Sequence, residues 1–453
     1  MFALRAVRSQ CSGRLGTLNL PGRALIPTPN YIAITSRGAV PHITQDVYKN
    51  STDIKGVYAA VEDFIEKAPK EIPPVFSYKS PDGSTGLRPF VALPDESTLI
   101  LGPRRVPPVA CPVSNTPTSM AIFTSVGFTQ LSTSDYTDAV VKLQPDIVVG
   151  MADIPFGAEK YSQKRSEAMT DRTTHWISRQ ISALTSAVTP QTRPAFFVPI
   201  LPLPAETQRW YLEDLCGDLH PSLSGLAIYD PSNLPTLPAP LQQLPRLAFT
   251  NPATPVDLLR QISLGIDVFT VPFIGAATDA GIALDFRFPA PAHDDAALRP
   301  LGIDMWLEEH ATDVTPLSEG CTCYACTDHH RAFLRHLLVA KEMLGWVLLQ
   351  IHNHHVLDEF FAGVRRSVED GRFDEDVAGF ERVYESLLPA KTGQGPRVRG
   401  YQYRSQGPGE SKRNPAGFKT LDDAAEKVAE SAGNNPVNDV KDVEGAGLAE
   451  KVE

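Results

Sequence analysis

From about residue 145 onward, five short and nearly uninterrupted apolar runs recur: PDIVVGMAD (145–153), RPAFFVPIL (193–201), LSGLAIYD (223–230), LPRLAFTN (244–251) and GIDVFTVPF (265–273). Each is followed by a polar or amphipathic segment of helical length. Parallel strands covered on both faces need such runs, because neither face is left to water. Alternating β and α units leave an α/β fold, either a closed barrel or an open doubly wound sheet. No G-x-G-x-x-G string follows a strand, which weakens the dinucleotide-binding version of the open sheet. Between the last two runs, Pro255 and Asp257 open a stretch in which Leu258, Leu259, Ile262 and Leu264 fall at helical spacing. A crossover helix over 256–266 is expected there.

The second constraint is Cys321-x-Cys323-x2-Cys326, followed by a helical stretch in which His352 lies 26 residues beyond the last cysteine. Three thiolates and one imidazole fill a tetrahedral shell and leave no position for water, the pattern of a structural zinc site. His329, His330, His336, His354 and His355 compete for the fourth place. The first two could close the shell only through a tight turn. A ligand farther along the chain would let the metal tie the cysteine loop to the far end of the helical segment. His352 is therefore the expected fourth ligand. The apolar stripe Phe333, Leu337, Leu338, Met343, Leu344, Val347, Leu348 and Ile351 reads as packing, and Trp346 as core.

Composition narrows the setting. A chain of 453 residues that is 42% hydrophobic and 21% charged builds a real core. We expect one large domain over 1–390, with the zinc-binding segment at 318–360. The formal net charge of −11 excludes a protein that coats nucleic acid by bulk attraction, so any RNA contact needs a local basic patch. Six cysteines, three of them clustered, suit a reducing compartment better than a disulfide framework. No run approaches the roughly 18 to 20 apolar residues of a membrane-spanning helix. Arg5, Arg8 and Arg14, with no acidic residue before Asp46, give the N-terminus a likeness to a mitochondrial presequence, but the stretch passes without a spacer into a strand-like segment, 16–35. Residues 391–453 are rich in Gly, Pro and charge, and are expected to be largely disordered. Their basic start, from Lys391 to Arg413 with Tyr401 and Tyr403, reads either as a solvated linker or as a single-strand RNA contact.

The string CTCYACTDHHRAFLRHLLVAKEMLGWVLLQIHNHH resembles the zinc segment of the tRNA-guanine transglycosylases, with CxCxxC, an EML-containing helix and a terminal HN in the same order and spacing. LPRLAFTNPATPVDLLRQISLGIDVF is similar to that family's LPRY-x-MGVG-x-PEDLL-x-x-V-x-x-GVDMFD. PDIVVGMAD is similar to its SDIVMAFDE, KRSEAMTDRTTHWI to its KR…S-x-x-RT-x-x-W helix, and CSGRLGTLNLP to its opening strand. The likeness covers roughly residues 12 to 370 and is weakest between about 50 and 140.

The resemblance implies a (β/α)8 barrel, one structural zinc ion per chain on Cys321, Cys323, Cys326 and His352, and an exchange of guanine for queuine at the wobble position of tRNAs with GUN anticodons. It also implies where this chain departs. In catalytic members an aspartate in GVDMFD attacks the ribose anomeric carbon; the aligned string GIDVFTV has Thr270 in that place. A neutral hydroxyl without an adjacent base is a poor nucleophile there. The family's DSGGFQ string is absent, and FFVPILPLP stands where its QGG turn belongs. Asp153 matches the base-recognising aspartate, though it also reads as a strand-end residue bonding loop amides. Asp267 matches as well, in a structural role. Retained scaffold and zinc with deleted chemistry imply the non-catalytic partner of a heterodimer, docked on a catalytic subunit and tRNA, with queuine as a further candidate ligand. That location would be cytoplasmic, on the cytosolic face of the mitochondrial outer membrane. An independently active transglycosylase, or a zinc-stabilised scaffold unrelated to tRNA, are the alternatives.

Overall fold

The computed structural model describes residues 2–5, 13–65, 71–111, 114–124, 127–156, 161–292 and 297–396. Eight strands form a closed, all-parallel barrel: β1 (Asn30–Ile34), β2 (Gly56–Ala60), β3 (Thr98–Gly102), β4 (Ile147–Val149), β5 (Ala195–Ile200), β6 (Gly225–Ile228), β7 (Arg246–Ala248) and β8 (Val268–Thr270). β8 pairs with β1 and closes the ring, with Phe269 beside Tyr31. The five apolar runs supply β4 to β8, so the closed alternative is the one realised.

Alternation along each strand divides the apolar residues into two layers. Ile32, Tyr58, Ile100, Ile147, Phe197, Leu247 and Val268 pack inside the barrel, while Tyr31, Val57, Leu99, Val148, Phe196, Leu226 and Phe269 pack outward against the helices. The interior has no room to spare: a Cβ on Gly225 would stand 2.5 Å from the ring of Phe197, its partner on the neighbouring strand. A large residue opposite a glycine is how a small barrel fills its centre. The opening stretch contributes a three-stranded antiparallel sheet, Phe2–Arg5, Leu15–Leu18 and Ile26–Thr28. Leu18 and Ile26 from this sheet join the interior layer.

After β4 comes the long helix α1 (Gln163–Ala187), and the expected crossover helix is α2 (Pro255–Ser263), entered through a reciprocal cap in which Asp257 N–H donates to Thr254 Oγ1 and Thr254 N–H donates to Asp257 Oδ2. It ends earlier than the periodicity suggested, because Gly265 turns the chain at φ +94°. After β8 come α3 (Phe273–Ala280), an antiparallel pair (Ile282–Leu284 with Gly302–Asp304), the short helices α4 (Tyr324–Asp328) and α5 (Arg331–Val339), and the 27-residue helix α6 (Met343–Glu369). α6 covers the closing seam: Phe361 meets Phe269 of β8 at 5.9 Å and Tyr31 of β1 at 5.8 Å.

Residues 391–396 lie against this core, with the Thr392 hydroxyl bonded to Asp304 and Gly393 against the Trp306 indole. The tail expectation falls, from residue 397 on, outside the described residues.

Candidate metal centre and a filled barrel mouth

The cysteine loop is shaped by its own backbone. Gly320 at φ +69° makes the turn before Cys321, a conformation that costs glycine little. Cys323 then occupies the N-cap of α4, and Cys326, one turn later, donates its N–H to the Cys323 carbonyl. All three sulfurs converge on His352, which sits near the middle of α6 and is fully buried. Its Nδ1 lies 3.7, 3.5 and 3.4 Å from the sulfurs of Cys321, Cys323 and Cys326. A tetrahedral shell with Zn–S near 2.3 Å and Zn–N near 2.0 Å has an S···N edge of about 3.5 Å, so the donor set has the size of a metal tetrahedron. The four ligand atoms lie within 4.8 Å of one another.

The other ring nitrogen fixes the tautomer. His352 Nε2–H donates to the Leu284 carbonyl at 2.9 Å, leaving Nδ1 as the lone-pair donor. Asn353, the next residue, accepts from Leu284 N–H at 2.8 Å and donates to the Ile282 carbonyl and to Thr278 Oγ1. The Cys3His cluster, the antiparallel pair and α3 are thus tied to one helix. Hydrogen bonds from Cys323 and Cys326 hold the Cys321 thiol far below its ordinary value. Burial pushes the His352 imidazole down, but the Cys321 and Cys326 sulfurs outweigh it and lift the group to about 10. A bound cation would displace these shared protons.

The competing histidines do other work. His330 caps α5 by accepting from Phe333 N–H, and His329 stacks on Phe333. His336 is exposed. His355 Nε2 lies 3.4 Å from Thr322 Oγ1, and the neighbouring Cys321 raises its pKa. His354 faces Tyr31 and Gln350. Of the apolar stripe, Leu337, Leu338, Leu348 and Ile351 are buried with Trp346. Met343 and Leu344 depart from that expectation, at 43% and 44% exposed, because they form the first turn of α6, where the helix starts at the surface.

At the C-terminal ends of the strands, where barrels of this kind carry their chemistry, the mouth is filled. Tyr229 stacks on Phe249 at 5.5 Å, Tyr58 meets the same ring edge-on at 5.2 Å, and Arg104 lies over Phe156. The hollow left among them has a volume of about 20 Å³, room for roughly one water. Thr270, the last residue of β8, is fully buried, and its hydroxyl donates to the Ala248 carbonyl at 2.9 Å.

Carboxylates around the mouth are engaged. Asp153 is fully buried and accepts from Arg165 Nη2 at 2.6 Å, Arg172 Nη1 at 3.1 Å and Asn115 Nδ2 at 2.5 Å. Its partners are mostly guanidinium groups, which the sequence reading missed; Arg165 and Arg172 fall seven apart on α1 (Gln163–Ala187), a spacing that puts both on one face. Glu62 and Asp63, after β2, bind Arg105. At the opposite end of the barrel Asp267 accepts from Arg246 N–H and pairs with Arg14 at 2.9 Å. Burial lifts this carboxyl to about 6, against the pull of Arg14 and Arg246. Arg14, one of the three N-terminal arginines, is therefore part of the barrel base.

With this geometry in hand, comparison with known proteins is direct. The model of the queuine tRNA-ribosyltransferase family matches residues 9–386. Queuine tRNA-ribosyltransferase accessory subunit 2 of Schizosaccharomyces pombe is 35% identical, over 88% of this chain and 88% of its own length. The proteins of that name from Gallus gallus and Drosophila melanogaster are each 26% identical, over 80% and 81% of this chain and 93% and 88% of their own lengths. The match over residues 9–386, the eight-stranded barrel and a Cys3His cluster in the expected register agree: this chain belongs to the queuine tRNA-ribosyltransferase family.

Proposed function

We propose that this chain is the non-catalytic accessory subunit of a queuine tRNA-ribosyltransferase, pairing with a separate catalytic subunit that exchanges guanine for queuine at the wobble position of tRNAs with GUN anticodons. The observation that carries the reading is Thr270. The family's nucleophilic aspartate aligns with it, and its hydroxyl is spent on the Ala248 carbonyl. The packing of Tyr58, Tyr229 and Phe249 supports the same conclusion, since the hollow of about 20 Å³ left among them admits no purine. Asp153, the aligned base-recognising aspartate, is held by two arginines and an asparagine.

In this reading Cys321, Cys323, Cys326 and His352 hold one zinc ion, which supplies a cross-link and no chemistry. The cross-link fixes α4 against α6 and so rigidifies the arm that carries Tyr324, Met343 and Leu344, all between 43% and 45% exposed. A preorganised, partly apolar surface loses little ordering entropy on association, which makes the arm the proposed contact for the catalytic subunit. The chain itself helps seat tRNA beside that subunit. No helix among the described residues is long and apolar enough to cross a membrane, so the proposed place on the cytosolic face of mitochondria is peripheral.

The test is base exchange with labelled guanine, using the purified chain alone, its catalytic partner alone and the two together. Activity should be absent in the first and highest in the third. Exchange by the isolated chain would overturn the reading.

A further inference from the structure

A second hollow on the same face of the barrel is open. It lies between the segments that follow β1, β7 and β8 and the flank of α6, and has a volume of about 510 Å³, within the range of small-ligand pockets. Pro41, Pro107, Pro252, Pro272 and Phe273 give it flat apolar walls, and among the described residues no carboxylate, Lys or Arg lines it. Its polar groups are few. Gln350 and His354 reach it from α6, and Asn251 stands at its rim.

The polar groups are oriented by a buried chain. Gln350 Nε2–H donates to His354 Nε2 at 3.0 Å, and on the other side of the ring His354 Nδ1 lies 3.0 Å from the Tyr31 hydroxyl. An amide nitrogen can only donate, so His354 Nε2 accepts and the ring proton sits on Nδ1, which donates to Tyr31 Oη. That leaves Gln350 Oε1 turned away from its helix partner. It is buried and has no hydrogen-bond partner among the described residues, and Gln350 as a whole is 2% exposed. An orphaned buried carbonyl is costly unless something donates to it.

We propose that this cleft takes a neutral, planar base that offers an N–H edge to Gln350 Oε1, with proline and Phe273 faces against its ring. The uncharged lining excludes phosphate as the group recognised. The family setting and the position on the catalytic face of the barrel favour a single unstacked base of RNA over a free base. The inference rests on the tRNA-seating part of the function proposed above, and it adds a site to it.

Gly275 provides the test, because it lines the cleft and a Cβ built on it meets nothing within 4 Å. Gly275→Trp therefore fills the cleft from a position that has space. Asn251→Gly is a second variant that keeps the left-handed backbone, φ +54°, and removes the rim amide. Binding of a fluorescent anticodon stem-loop RNA to the full chain should weaken roughly tenfold in Gly275→Trp, about the worth of one stacked base, and less in Asn251→Gly. Guanosine alone, followed by thermal shift, is the parallel arm. Stabilisation of wild type but not of Gly275→Trp, with RNA binding equal in both, would keep the base chemistry and assign the free molecule as its source. Equal RNA affinity with no guanosine response overturns the cleft while tRNA seating stands. Failure of wild type to bind RNA, with no guanosine response, overturns both.

Discussion

His352 and Leu284 are joined by a 2.9 Å hydrogen bond from imidazole Nε2–H to a strand carbonyl, and the same imidazole turns Nδ1 toward three sulfurs. One side chain thus links the cysteine loop, α6 and the antiparallel pair. His352→Ala should reduce bound zinc, measured by atomic absorption, from one per chain to nearly none. It should also lower the thermal midpoint by several degrees, and co-purification with the catalytic subunit should fall with it. A variant that keeps full metal content would remove His352 from the ligand set.

Asn353 makes a separable contribution. Replacing it with alanine strands Leu284 N–H and the Ile282 carbonyl, both buried, at about 1–3 kcal/mol each. Urea unfolding of Asn353→Ala should show a loss of about 2–4 kcal/mol at unchanged zinc content. Loss of the metal along with stability would mean that the two neighbours act as one unit.

Asp153 and its arginines give a third expectation. Asp153→Ala leaves Arg165 and Arg172 facing each other across a buried position without their shared carboxylate. Breaking a buried pair from one side costs about 3–5 kcal/mol. The loss should be recovered in part by also changing Arg172 to Met, a rescue that a base-recognition role for Asp153 does not provide. Denaturation midpoints of the single and double variants measure it.

The parts legible in the sequence were those whose signal is local. The cysteine triplet, the five apolar runs and the cap at Asp257 each occupy a short window and obey one rule. The strands β1 to β3 were less visible: GVYAA and TLILG are five-residue runs without flanking helices of length, and MAIFT, the more apolar string, belongs to an antiparallel hairpin, Ser119–Thr124 with Gly127–Ser132. Pairings across long separations were not visible at all. Asp267 with Arg14, or Asp153 with Arg165 and Arg172, reveal themselves only once the barrel brings strand ends to helix faces. The filling of the mouth is of the same kind, since Tyr58 comes from β2 while Tyr229 and Phe249 directly follow β6 and β7.

That filling bears on any attempt to restore the chemistry. Thr270→Asp puts the family's carboxylate back in sequence, but at a fully buried position next to the Ala248 carbonyl, on a face where the hollow among Tyr58, Tyr229 and Phe249 holds only about 20 Å³. A charge so placed is cut off from water beside a carbonyl oxygen. The variant should stay inactive in guanine exchange and be less stable than wild type by several kcal/mol, the usual range for an unpaired buried charge. Measurable exchange by Thr270→Asp would show that the mouth opens, and that one side chain separates this chain from catalysis.

Asp267 supplies a pH dependence whose sign can be worked out. Burial raises its pKa from an ordinary carboxyl value to about 6 in the folded chain. Between the unfolded value near 4 and about 6, the folded state holds a proton that the unfolded state has released, so this group's contribution is greatest below about pH 4 and declines as pH rises to about 6. Above that it is constant. A two-unit upward shift bounds the decline at about 3 kcal/mol, and Arg14 limits it by stabilising the charged form. Arg14→Gln should therefore push the Asp267 pKa higher and extend the decline toward neutral pH, whereas Asp267→Asn should flatten it. The measurement is urea unfolding at pH 4.5, 6 and 7.5 for the three proteins. A wild-type stability that rises relative to Asp267→Asn across that interval would mean that Arg14 outweighs burial and that the carboxyl is held below its ordinary value.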